Sequence, residues 1–164
     1  MFELLQFSVK KAYPVIYLIP ETSDRPFRKR CEVFRIPADD RFIARTITEG
    51  ASLKLTDPDL LEAVRQLKPV VILDTARRFN SSSDTNSDTE NQKLVANIID
   101  LRAAGAVCVI ILHHATKAAN QKKQAMTLEN MLSGTGDFGA MYDQAYGIRM
   151  DENLYNRGSR PDGD

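Results

Sequence analysis

The sequence predicts an α/β fold, a mostly parallel sheet flanked by helices. Three observations predict it. The apolar, β-branched runs are short, helical patterns fall between several of them, and the most apolar runs end abruptly in polar residues. A chain of 164 residues has room for one domain of ordinary size. Its 43% hydrophobic and 27% charged content places it among globular chains and excludes collagen-like and disordered classes. The 22 Lys+Arg balance 22 Asp+Glu, so no chain-wide electrostatic footprint exists and any contact with DNA must come from a local patch. Cys31 and Cys108 are far apart with no Cys-x-x-Cys pair, which argues against a disulfide framework or a thiolate zinc site and leaves both reduced. No apolar run approaches the roughly 18 residues of a membrane helix, and Met1-Phe2-Glu3 lacks the basic start of a signal peptide. A cytoplasmic protein with no membrane partner is expected.

The elements follow in order. Val-Ile-Tyr-Leu-Ile at 15–19 is a strand bounded by Pro14 and Pro20. Asp24 then serves as cap and Pro26 sits in the first turn of a helix reaching about 32. The mixed polarity of 42–47 suggests an edge strand. Asp57-Pro58 opens a helix over 58–67, which Pro69 ends. Val-Val-Ile-Leu at 70–73 is continuous and β-branched, the mark of a parallel strand buried on both faces, and it stops at Asp74. Polar residues fill a loop over 80–89. A helix over 90–104 carries a stripe of Leu94, Val95, Ile98, Ile99 and Leu101 and ends at Gly105. A second doubly buried strand over 106–112 stops at His113-His114. A loop over 115–127, short helices near 128–132 and up to 142, and a closing strand over 145–150 complete a domain spanning 1–152. The polar residues 153–164 form a frayed tail.

Ligands of open parallel sheets bind outside the carboxyl ends of the strands, where this chain concentrates its polar residues. An aspartate closing an apolar strand is the substance of a Walker B motif, in which the carboxylate orients the water shell of magnesium beside nucleotide phosphates. Asp74 fits that role and equally fits a cap after a buried strand. Glu21 can orient a water for in-line attack, or simply face solvent. Of His113 and His114, successive residues pointing to opposite faces, one can bond a terminal phosphate or the attacking water; both can instead be satisfied by backbone. A zinc hydrolase built on Asp74 and the two histidines is a further class, although the usual His-x-x-x-His spacing is absent. Lys117, Lys122 and Lys123 can meet nucleic-acid phosphates or form a solvated loop. Gly134 and Gly136 read as a tight turn. No Gly-Lys dipeptide occurs anywhere, so no Gly-x-x-x-x-Gly-Lys phosphate cradle is encoded.

The succession strand-Pro-Glu21, strand-Asp74-Thr75, polar loop, helix, strand-His113-His114-x-x-Lys117 and Ser133-Gly134-Thr135-Gly136-Asp137 resembles the RecA-like AAA-family ATPases related to hexameric plasmid-replication helicases. Their sensor strand likewise ends in a double histidine. The resemblance runs from about 15 to 150, with Leu-Asp-Thr-Ala-Arg-Arg-Phe and Leu-His-His-Ala-Thr-Lys its most specific parts. It implies a RecA-like P-loop NTPase core binding ATP and Mg2+, with Asp74 and Thr75 at the cofactor, Asp74 holding the metal through water, Glu21 activating water, and His113 or His114 sensing the γ-phosphate. Arg149 is its candidate arginine finger, with a solvated arginine the simpler reading. In that family the P-loop precedes the element matching 15–19, so the chain is expected to start after it, with 2–7 as the tail of the P-loop helix. A homo-oligomeric ring, contact with DNA and a part in DNA replication or mobile-element maintenance follow from the same resemblance. The alternative is a non-catalytic remnant or interaction module that keeps the fold.

Overall fold

The computed structural model describes residues 13–37, 39–50, 52–79, 88–114 and 142–147. Four strands, β1 (Val15–Leu18), β2 (Phe42–Arg45), β3 (Val70–Asp74) and β4 (Cys108–Leu112), form one sheet in the order β2-β1-β3-β4. Every pairing is parallel, with Val15 opposite Phe42 and Val70, and Val70 opposite Cys108. The helices are α1 (Asp24–Val33), α2 (Ile47–Gly50), α3 (Pro58–Leu67) and α4 (Asp88–Ala104), with a 3₁₀ turn over Ala76–Phe79. The predicted α/β class and mostly parallel sheet are therefore what the chain adopts.

The alternation of side chains along the central strands divides the core into two layers. Ile16, Leu18, Val71 and Leu73 pack with Leu60 and Val64 of α3 and Leu94, Ile98 and Leu101 of α4. On the opposite face Val15, Tyr17, Val70 and Ile72 pack with Phe27 of α1 and with Ile36. Phe27 bridges this layer, 5.7 Å from the Tyr17 ring centroid and stacked 6.3 Å from Phe42. Chirality explains the division. β1 steps to β2 in one direction and β3 to β4 in the other, and right-handed crossovers place α1 and α4 on opposite faces.

Local chemistry accounts for the helix ends. The Asp57 side chain accepts from the Asp59 N–H at 2.9 Å, Pro58 opens α3, and Lys68 closes it in a left-handed conformation, φ 47°. Asp24 departs from its expected capping role. Ser23 is the N-cap of α1, and the Asp24 carboxylate accepts from Thr46, just after β2, and from Thr48 in α2.

Other elements shift from the sequence reading. Ile47, expected in a strand, begins α2 because its N–H turns to the Thr22 carbonyl at 3.0 Å. Of the α4 stripe, Leu94, Ile98 and Leu101 are buried and Ile99 is 55% exposed. The strand predicted over 106–112 begins at Cys108, which is exposed, and the rest of β4 is half-buried, because among the described residues β4 pairs only with β3. The described part of the predicted closing strand, 145–147, is in no strand. The predicted loops and helices over 115–141, most of the loop over 80–89 and the tail at 153–164 lie outside the described residues.

Candidate functional site

In a sheet ordered β2-β1-β3-β4, the chain leaves the carboxyl ends of the neighbours β1 and β3 in opposite directions. The crevice between those ends is the topological switch point, the place where open α/β sheets bind ligands. Glu21 follows β1, Asp74 ends β3, and Thr75 with the 3₁₀ turn comes next. Asp74 is opposite Leu112 in register, so His113 and His114 leave the same edge one strand further on. The sequence-predicted Glu21, Asp74, Thr75, His113 and His114 thus lie along one edge. Lys117, Lys122, Lys123 and Arg149 lie outside the described residues.

Asp74 is held from β1. The Tyr17 hydroxyl, on a residue only 1% exposed, donates to Asp74 Oδ2 at 2.5 Å. Burial, then the bond to Asp74 and its negative charge, push the phenol far above its ordinary range, while the Arg30 guanidinium pulls weakly the other way. Tyr17 therefore remains a neutral donor and fixes one carboxylate oxygen.

Thr75 presents the opposite situation. It is 8% exposed, and its Oγ1 is shut off from solvent with no hydrogen-bond partner among the described residues. A buried hydroxyl left without a partner costs about 1–3 kcal/mol, so such an atom marks a place where a further polar group belongs. Its carbonyl accepts from the Arg78 N–H at 3.0 Å, starting the 3₁₀ turn.

That turn carries Arg78 across the crevice. Its Nε donates to Glu21 Oε1 at 2.6 Å, with both side chains more than a third exposed. An ion pair in that much solvent stabilises by about 1 kcal/mol at most, and an incoming anionic or polar ligand can displace it. The His113 Nδ1 lies 2.8 Å from the His114 carbonyl, an acceptor, so the neutral ring carries its proton on Nδ1 and leaves Nε2 as acceptor.

Among the described residues no group of three or more His, Cys, Asp or Glu side chains converges to hold a metal ion. The zinc hydrolase built on Asp74, His113 and His114 finds no support there. A magnesium ion places lighter demands: one carboxylate reaching it through water, with the remaining ligands from substrate phosphates, suffices. Asp74, with one oxygen fixed by Tyr17, and the unpartnered Thr75 hydroxyl beside it fit that group.

Residues 4–120 match a family model described as an AAA domain. The chain belongs to the AAA domain family. No curated protein and no solved structure matches it. Membership and the parallel sheet together make this an AAA-type, ATPase-like module with a RecA-like α/β fold. Among the described residues of this AAA domain no helix is long and apolar enough to cross a membrane.

Two site residues were invisible to sequence reasoning. Tyr17 looks like one more apolar member of its strand, and the available signal was that a buried tyrosine hydroxyl needs an acceptor. Arg78 belongs to an Arg-Arg-Phe stretch whose 3₁₀ turn, not its composition, aims it at Glu21.

Proposed function

We propose that this AAA domain binds a magnesium nucleotide at the β1/β3 switch point and contributes to its hydrolysis. The observation that carries the reading is the buried, unpartnered Thr75 hydroxyl beside an aspartate pinned by Tyr17. When bound, the magnesium nucleotide supplies the phosphoanhydride and the cation that withdraws its charge. In this reading Asp74 orders the metal's water shell and Thr75 Oγ1 donates to a phosphate or metal-bound water. Glu21, released from Arg78, orients the attacking water and takes its proton. His113 or His114 bonds the terminal phosphate. Arg149 reaches a neighbouring copy in a ring, and Lys117, Lys122 and Lys123 touch DNA, in a cytoplasmic role tied to replication or mobile-element maintenance.

The 164 residues hold no Gly-Lys dipeptide, so the reading assigns the phosphate cradle to sequence outside them and expects little ATP turnover from this chain alone. A second reading, a non-catalytic remnant or interaction module that keeps the fold and binds nucleotide weakly or not at all, is favoured by the engagement of Glu21 with Arg78.

Calorimetry tests the proposal. Titrating ATP and magnesium into the chain and into a version carrying a P-loop should give, in the latter, one binding event that Asp74→Asn weakens at least tenfold and that removal of magnesium weakens comparably. Binding indifferent to Asp74→Asn would overturn the proposal. Binding by neither version would overturn it and select the second reading.

A further inference from the structure

The chain is neutral as a whole, yet its charge is not evenly spread. Between residues 25 and 35 stand Arg25, Arg28, Lys29, Arg30 and Arg35 against a single acid, Glu32. All five cations are exposed. Arg25, Arg28 and Lys29 recur at helical spacing and share one open face of α1 with Asp24 and Glu32. Phe27 turns the opposite face of the helix into the core.

The cluster is also free of carboxylate partners. Elsewhere among the described residues Arg41, Arg45, Arg65, Arg78 and Lys93 each have one, whereas the scattered Lys54, Lys68, Arg77 and Arg102 do not. Among the described residues none of the five cations on and after α1 forms an ion pair. The nearby Asp24 is occupied by Thr46 and Thr48.

Helix electrostatics do not explain the pattern. The dipole favours Arg30 in the last turn and opposes Arg25 in the first. Backbone geometry points the same way. After Phe34, Arg35 has φ 52°; its N–H bonds the Glu32 carbonyl at 3.1 Å, and the Ile36 N–H bonds the Cys31 carbonyl at 2.9 Å. These are the two bonds of a Schellman ending, whose left-handed position favours glycine. An arginine there costs about 1 kcal/mol of backbone strain relative to glycine.

We propose that the exposed face of α1, with Arg35 beyond it, is a docking surface for the phosphate backbone of nucleic acid. Four of the five cations are arginines, whose planar forks match phosphate oxygens. Arg25, Arg28, Lys29 and Arg30 are carried by a helix of 10 residues, roughly 15 Å at its normal rise, a run of charge suited to a linear polyanion. A membrane surface fits less well, because Phe27, midway along the helix, is buried in the core and leaves only Val33 and Phe34 at its end to insert. The surface is argued from α1 and Arg35 alone and does not depend on the nucleotide reading.

Fluorescence anisotropy of labelled single-stranded and duplex oligonucleotides, without nucleotide or magnesium, tests the surface and keeps its failure separate from that of the nucleotide site. The full chain should bind with a steep salt dependence. Combined Arg25→Gln, Arg28→Gln and Lys29→Gln should weaken binding about tenfold or more and flatten the log–log salt slope by about 2 on single strands or 3 on duplex. Removing the same number of charges through Lys54→Gln, Arg65→Gln and Lys93→Gln should leave binding within about twofold. Equal losses in the two triple variants would reduce the effect to net charge and overturn the proposal. So would no binding by the wild-type chain, or capture by phosphatidylserine vesicles in preference to both oligonucleotides. Circular dichroism melting of each variant confirms that α1 remains folded.

Discussion

At the centre of the sheet the Tyr17 hydroxyl has no water to bond, and Asp74 is the acceptor that makes its burial tolerable. One contact therefore serves both strand packing and the site. It also links stability to pH. Unfolded, the phenol titrates near its ordinary 10.0, whereas in the folded chain it keeps its proton to much higher pH. Above pH 10 the unfolded chain binds fewer protons than the folded one, so stability is lost as pH rises, by about 1.4 kcal/mol per pH unit for each such group. Tyr142, pushed up to about 12 by burial, acts in the same direction between pH 10 and 12. Tyr17→Phe should accordingly run parallel to the wild type in urea-unfolding free energy below pH 10 and lose about 1.4 kcal/mol per pH unit less above it. Parallel profiles on both sides of pH 10 would show that Tyr17 does not retain its proton. Arg78 and Glu21 contrast with this buried pair, since their exposure leaves them able to part when a ligand arrives.

Elements were legible where local pattern and tertiary burial agree. β3 reads directly from Val-Val-Ile-Leu because it has a partner on each side and helices on each face. α3 reads as directly, since Asp57 and Pro58 are themselves the cap and first turn. β4 has an equally apolar run, but a run of apolar residues records a preference for burial and not whether a neighbour is present on both sides. Its Cys108 is exposed for that reason. Asp24 illustrates the other kind of miss, a capping residue captured by hydroxyls 22 and 24 positions away, which no local pattern contains. The strand-end carboxylates and histidines were legible as candidates because parallel sheets direct ligands to that edge. Tyr17 and Arg78 were not, because their roles depend on partners 57 positions distant. The two thiols test the element assignment. Cys31 is half-buried, and that burial pushes its thiol up, so its thiolate is scarce at neutral pH. A disulfide-exchange reagent should react in two phases, with Cys108→Ser removing the fast phase and Cys31→Ser the slow one. A single fast phase of two thiols would mean that α1 does not cover its face of the sheet.

The whole molecule divides at the crevice. β1 belongs with α1 and β2 on one side of it, β3 with the 3₁₀ turn and β4 on the other, and the two sides meet in the β1–β3 ladder. Within the site, Tyr17–Asp74 and Arg78–Glu21 are side-chain links between them among the described residues. A ligand that engages Thr75 and Asp74 from one side and Glu21 from the other would bind only the assembled sheet and not the unfolded chain. Linkage then requires it to stabilise the whole fold by RT ln(1 + [L]/Kd), about 2.7 kcal/mol at one hundred times Kd. For a domain of this size that corresponds to a rise of roughly 5–11 °C in the thermal midpoint. Thermal melts with ATP and magnesium should show this rise in a version of the chain carrying a P-loop and lose most of it when that version also carries Asp74→Asn. Arg78→Ala should keep the rise, because Arg78 occupies Glu21 only until the ligand displaces it. An equal rise in Asp74→Asn would place nucleotide binding away from the switch point, whatever its affinity.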